Sequence, residues 1–249
     1  MIQQIVGDPV IVIMEQMVLF HVYAAFRLCR HSCFDFFLNN KHLSECLNIL
    51  TLEYDVEAVE EPQAVQRRMP RRAAFEAVYL MHNLKSQHAI TRFGSLPTVV
   101  ARHPDVRSAF QFTLSCQTGN FYKVLSQVAH LPPYSLASVS PHIPSIQLSY
   151  MQIMRVAFAS RASTVPLVYL RRTLCPFEED AVADEYITRL CQQLQVRVER
   201  SQVFFTKSKS PSGEQDGASR PPSPRIWSAL DRRLKGSSVR DLIRQTCTQ

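Results

Sequence analysis

Apolar positions recur every three or four residues through most of the chain, and strict alternation is confined to one short stretch, so helices dominate the expected fold. The run "PVIVIMEQMVLFHVYAAFRLC" is the most apolar and predicts a first helix buried by its neighbours. Asn40 stands where it can cap a second helix, in which Leu43, Cys46, Leu47 and Leu50 keep the i, i+3, i+4, i+7 spacing of one face. The next segment, "YDVEAVEEPQAVQRRMPRR", has an acidic and then a basic half. Pro62 and Pro70 interrupt it, and it reads as a charged loop. "AAFEAVYLMHNL" is apolar on nearly every side, as in a helix enclosed by others. "HAITRFGSLPTVVARHPD" predicts a short helix, a break at Gly94 and another short helix, with Pro104-Asp105 as stop and cap.

A corner follows in "SCQTGNFYKVLSQV". Upstream, Val106, Ala109, Phe110 and Leu114 share a helical face; downstream, Phe121, Val124, Leu125 and Val128 do the same. Between them Gly119 can take the left-handed conformation that ends one helix, and Asn120 can cap the next. "LPPYSLASVSPHIP" is a connection with at most a short helix. "SIQLSYMQIMRVAFAS" is helical, with Ile146, Tyr150, Ile153 and Ala157 on one side. Repeated corners of this kind make an irregular array of helical hairpins, since no strict repeat period is present.

The pattern changes at Thr164. Thr164 can cap a helix with Pro166 in its first turn, continuing to about Leu174. Glu178, Glu179 and Asp180 open another helix, where carboxylates suit the positive end of the dipole, and it runs to about Leu194. "QVRVERSQVFFTK" then alternates. Val196, Val198, Val203 and Phe205 point inward, Arg197 and Glu199 outward, with a turn near Arg200-Ser201, which is a β-hairpin. Helix, helix, helix, hairpin is the winged-helix order. "KSKSPSGEQDGASRPPSPR" is a linker by composition. Its Ser210-Pro211 and Ser223-Pro224 are either sites of proline-directed phosphorylation or an unmodified spacer. Beyond it, Trp227, Leu230 and Leu234 mark a short amphipathic helix, and Ser238 and Asp241 form a capping box before Leu242 and Ile243. The expected organisation is a helical part over 1–163, a winged-helix part over 164–206, a basic linker over 207–225 and an amphipathic segment over 226–249.

Composition sharpens this in three ways. With 249 residues the chain can bury a sizeable core, and 6 glycines against 15 prolines favour helices over a turn-rich β-sandwich. From Arg200 to Gln249 there are 10 Lys/Arg and 4 Asp/Glu, so +6 of the formal +7 sits in that last fifth. Such a tail suits nucleic acid or an acidic partner, or is simply solvated. The 7 cysteines are odd in number and scattered, which argues against a disulfide framework and for a reducing compartment. Glu15, Gln16, His21 and Arg27 make the first helix too polar to span a bilayer comfortably, and without a basic n-region or a small-residue cleavage site it does not read as a secretory signal.

The chemistry of catalysis is hard to find. No nucleophile elbow, P-loop or metal motif occurs. Cys29 and Cys33 flank His31, but no second Cys/His pair follows at zinc-site spacing. His82 and His88 read as core or surface residues. No enzymatic activity and no cofactor or metal is expected. For nucleic acid, Arg171, Arg172, Arg189, Arg197, Arg200, Lys207 and Lys209 could line one edge of the winged helix and its tail. The three carboxylates at the start of the third helix would repel phosphate where a recognition helix meets the groove, so any contact would be to the backbone, through wing and tail. For a protein partner, Phe204 lies on the reverse face of the hairpin, either in an interface or packed on the preceding helix, and Trp227, Leu230 and Leu234 form an apolar anchor for the body of the protein or for a partner.

Several segments, in this order, resemble the GANP/Sac-three family of PCI-type scaffolds: "LSECLNILTLEYD", "FEAVYLMHNL", "HPDVRSAFQFTLSCQTGNFYKVLSQVAHLP" and "VPLVYLRRTL". The tail "IWSALDRRLKGSSVRDLI" is similar to the end of the short SAC-three-domain-containing members. The likeness covers about residues 3 to 245. Family members carry an upstream basic stretch, and "MIQQIVGDP" corresponds to a point partway into the region that follows it. The resemblance implies a mainly helical, PCI-like fold ending in a winged helix, and a non-enzymatic scaffold. It implies association with another PCI-containing subunit and a small acidic peptide, with RNA or DNA backbone as a further contact. It also implies work in nuclear messenger-RNA export or in centrosome duplication and spindle assembly, hence a place in the nucleus or in the cytoplasm with centrosome and spindle.

Overall fold

The computed structural model of the chain describes residues 8–128, 130–160, 163–176, 178–205 and 231–232. The fold is mainly helical with a small three-stranded sheet. Helix α1 (Asp8–Arg27) lies along α2 (Phe36–Glu60), and its other side meets α9 (Pro133–Val139). By length and composition α1 could cross a membrane, but half of it is buried inside the protein. Its Glu15 is buried and accepts a hydrogen bond from the Tyr54 hydroxyl at 2.7 Å and an ion pair from Arg71. Burial pushes that carboxyl upward against the pull of those two donors. A core helix is the consistent description.

Asn40 is not the cap of the second helix. Asp35 is, its carboxylate accepting from the Leu38 amide at 2.9 Å. The segment expected as a charged loop is helical. α2 runs on to Glu60, α3 (Pro62–Arg67) follows, and α4 (Met69–His82) begins almost at once. Pro62 and Pro70 sit in the first turns of α3 and α4, where a missing N–H breaks no helical bond. The opposite charges pair across the joints, Arg67 with Glu61 at 3.0 Å and Arg68 with Glu57 at 2.7 Å.

α5 (Gln87–Ser95) passes through Gly94, and the break falls at Leu96-Pro97, before α6 (Thr98–Ala101). α7 (Pro104–Gln117) starts with Pro104 in its first turn, and the cap is His103, whose Nδ1 accepts from the Asp105 amide at 3.3 Å. The corner to α8 (Phe121–Val128) is as the residues predict. Gly119 takes φ +74°, the amides of Asn120 and Gly119 bond back to Ser115 and Cys116 at 2.9 and 3.2 Å, and Asn120 Oδ1 accepts from the Lys123 amide at 3.2 Å. α9 is the short helix of the proline-rich connection. It packs between α1 and α4, so this part is not a simple stack of sequential hairpins. In α10 (Ile143–Ala157), Ile146 and Tyr150 are buried together with Ile143, Met151 and Met154, while Ile153 and Ala157 are exposed.

Thr164 caps no helix. Val165–Pro166 forms strand β1, and α11 (Leu167–Leu174) starts behind it. α12 (Asp180–Gln193) and the hairpin β2 (Arg197–Glu199) and β3 (Gln202–Phe204) complete the unit. The sheet order is β1-β3-β2, all antiparallel, with Val203 opposite both Val165 and Val198. Glu199 pairs with Gln202, and between them Arg200 and Ser201 take φ 48° and 60°, the positive values that match a two-residue turn to the twist of its strands. Gln147 of α10 is fully buried; its amide donates to the Leu174 carbonyl and its carbonyl accepts from the Tyr186 hydroxyl, both at 2.6 Å. This one side chain ties α10, α11 and α12 together with its polar atoms satisfied.

Candidate partner surface

Helix α10 carries more apolar residues than one buried face can hold. Ile143, Ile146, Leu148, Tyr150, Met151 and Met154 enter the core, and the surplus turns outward toward α8. There Phe121, Ser149, Gln152, Ile153, Val156 and Ala157 line an open groove of about 560 Å3. Val156 is 80% exposed and Ile153 47%; Tyr122 on α8 and Phe158 just past α10 are exposed as well. Such an apolar groove, open to solvent, is a candidate interaction site. α8 also touches α11, so the groove adjoins the sheet-bearing C-terminal unit.

The basic residues named from the sequence separate into distinct environments. Arg171 is held inside the protein's own charge network. It grips Asp184 through two bonds of 2.9 and 2.7 Å and also pairs with Asp180, which raises its pKa through those contacts. Arg189 pairs with Glu185 one turn back on the exposed side of α12. Arg197 pairs with Glu199 at 3.4 Å, and its guanidinium lies 4.7 Å from the centre of the Phe204 ring. Phe204 is thus half-buried beneath a cation–π contact on the outer face of the hairpin. Arg172 and Arg200 are exposed, the latter at the tip of the turn. Lys207, Lys209, Ser210, Ser223, Trp227, Leu230 and Leu234 lie outside the described residues, as does the linker over 207–225.

Over residues 164–205 the chain has 5 Arg and no Lys against 6 Asp/Glu, a net charge of −1. The carboxylates of α12 hold Arg171 and Arg189, and the unit carries no net positive charge.

One pair has the outward form of a nucleophile and base. Ser44 Oγ lies 2.9 Å from His82 Nε2. Burial drops the His82 pKa to about 4, and His142, its neighbour, is likewise held down to about 4 by burial and by the nearby His82 and Lys85. Ser44 is also within 3.0 Å of the Asn40 carbonyl, and no carboxylate is bonded to His82 among the described residues. Among the described residues the pair has no third group to orient a catalytic base. Among the described residues no group of three or more His, Cys, Asp or Glu stands close enough to hold a metal.

The α8–α10 groove was legible only as a surplus. Ile153 shares a helical face with Ile146 and Tyr150, yet only the latter two are buried; Ile153, near the C-terminal end of α10, and Val156 beside it stay exposed.

Comparison with known proteins bears on what such a surface is for. Over 221 residues the chain is 26% identical to Protein xmas of Drosophila melanogaster, a match that covers 84% of this chain and 10% of that protein. The chain therefore spans about a tenth of the length of the curated relative it matches. Residues 1–200 match the sequence model of the SAC3/GANP family. That match takes in both the helical part and most of the sheet-bearing unit, and the chain belongs to the SAC3/GANP family.

Proposed function

We propose that this chain is a non-enzymatic scaffold that receives another PCI-containing subunit, with a small acidic peptide, on its C-terminal half. The observation that carries this reading is the open apolar groove between α8 and α10 beside the sheet-bearing unit. Membership of the SAC3/GANP family supports a scaffold role in nuclear messenger-RNA export. The likeness of its tail to the short family members supports centrosome duplication and spindle assembly as the other setting. The element order α10, β1, α11, α12, β2, β3, with β3 central, supports a winged helix over 164–206 set behind a PCI-like helical part over 1–163.

The test is co-purification of the full chain with a PCI-containing subunit, set against a Val156→Asp, Ile153→Asp variant. Both side chains are exposed, so the variant should keep its helical signal and lose the partner. Undiminished capture would remove the groove from the interface. Contact with RNA or DNA backbone is the alternative function. With the 164–205 unit at −1, this contact rests on the basic residues beyond Phe205. A salt series comparing the full chain with one ending at Phe205 should show a steep log–log slope that truncation abolishes.

A further inference from the structure

Helix α1 has a face that the rest of the helical body does not use. Ile11, Glu15, Val18, Val22 and Phe26 turn toward the core. On the opposite side Ile13, Met17, Phe20, Ala24 and Arg27 follow one another at four, three, four and three residues, which places all five within about 80° of the helix circumference. Phe20 is 53% exposed, and Ile13 and Met17 are exposed as well. Ala24 differs: it faces outward with them yet is only 4% exposed. One turn further on, Arg27 forms an ion pair with Asp231, 204 residues away in sequence.

Asp231 belongs to a helical turn with Arg232, and the sequence around it is amphipathic. On a helix, Trp227, Leu230, Asp231 and Leu234 fall within about 100° of one another, so the residue that pairs with Arg27 shares a face with the three apolar ones. The two stripes match: one apolar face ends in a cation, and the other carries an anion in its middle. The 25 residues between Phe205 and Asp231 can extend to about 80 Å, so the tether sets no obstacle.

We propose that the C-terminal segment over 226–234 docks as an amphipathic helix on the outward face of α1, with Arg27–Asp231 fixing its register and Trp227 and Leu234 flanking that pair. The occupant of this face is the chain's own tail, and α1 is closed to other partners while the tail is in place. Both members of the ion pair are about a third exposed, and such a pair changes a docking equilibrium by at most about fivefold. The apolar stripe therefore holds the segment, and the charges select its position.

Trp227 is the sole tryptophan, so intrinsic fluorescence of the full chain reads this contact alone. The expected result is blue-shifted emission, shielded from iodide and independent of protein concentration. Phe20→Asp should shift the emission red and raise the quenching constant severalfold, with the far-ultraviolet helical signal unchanged. Arg27→Glu should do the same more weakly, and the exchange Arg27→Glu, Asp231→Arg should restore the parent behaviour. Emission typical of a solvated indole in the parent chain would overturn the proposal. So would shielding that disappears on dilution, which would assign the face to a second copy. Shielding that neither Phe20→Asp nor Arg27→Glu disturbs would place Trp227 elsewhere and overturn it equally.

Discussion

A charged cluster ties α2, α4 and α5 together in the helical body. Glu76 is 0% exposed. It is held by Arg92, whose Nε donates at 2.9 Å and whose Nη2 makes a second bond, while Arg72 Nε stands 3.6 Å away. Arg92 also binds Asp55 and reaches the Thr51 carbonyl at 3.4 Å, so one guanidinium joins three helices. Its pKa is driven upward by Glu76 and Asp55 despite burial. Arg92→Met keeps the apolar stem and removes both bonds to Glu76. Asp55 is 45% exposed and can turn to water, so its share of the loss is small. Glu76 cannot. A buried carboxylate stripped of its main partner costs about 3–5 kcal/mol, a large part of the roughly 5–15 kcal/mol that holds a domain folded. With a urea slope near 2 kcal/mol per molar, the unfolding midpoint should fall by about 2 M. Circular dichroism across a urea series measures it. The double variant Arg92→Met, Glu76→Met removes the stranded charge and should recover at least about 2 kcal/mol of the loss. A single-variant midpoint within about 0.3 M of the parent would refute this reasoning, as would a double variant no better than the single.

Gln147→Leu should cost about 1–3 kcal/mol by removing the donor to the Leu174 carbonyl, and thermal unfolding should show the C-terminal unit loosening from α10. Gly119→Ala meets no steric obstacle, so only the strain of φ +74° remains, and a loss of about 1 kcal/mol by urea unfolding is expected. His82 and His142 stay neutral in the folded chain to about pH 4, against an ordinary value near 6.5. The unfolded chain binds more protons between those values, so stability should be full above about pH 6.5 and fall as the pH drops toward 4. His142→Gln should flatten that slope in urea midpoints taken along the pH series. Arg171→Ala should lower the melting temperature by releasing Asp180 and Asp184, and should leave any affinity for single-stranded RNA unchanged.

Much of the fold could be read from residues because local rules and global packing agree there. The corner at Gly119-Asn120 needs a left-handed glycine and a capping side chain, and both do what their chemistry dictates. The hairpin is equally plain, since alternation fixes which of Val196 to Phe205 point inward. Two of the errors share one cause, reading prolines and charges without their three-dimensional partners. Pro62 and Pro70 interrupt a pattern but begin helices, and the charges around them pair across the joints. Pro166 looks like the first turn of a helix, yet Val165 pairs with Val203, 38 residues on, a partner that no local window contains. The candidate site was less legible. Arg171 looks like a free cation in sequence, because the carboxylates that hold it are 9 and 13 residues away on another helix. The α8–α10 groove depends on which face of α10 is buried, and that is decided by α8 and by Gln147's reach to α11 and α12 rather than by α10 itself.

Hydrogen exchange on the full chain, free and with a PCI-containing subunit added, tests the scaffold reading most directly. The account predicts slowed exchange over Phe121–Val128 and the outer positions of Ile143–Ala157, with the Arg92 cluster unaffected. Protection that spares both helices, or no protection at saturating partner, would contradict it.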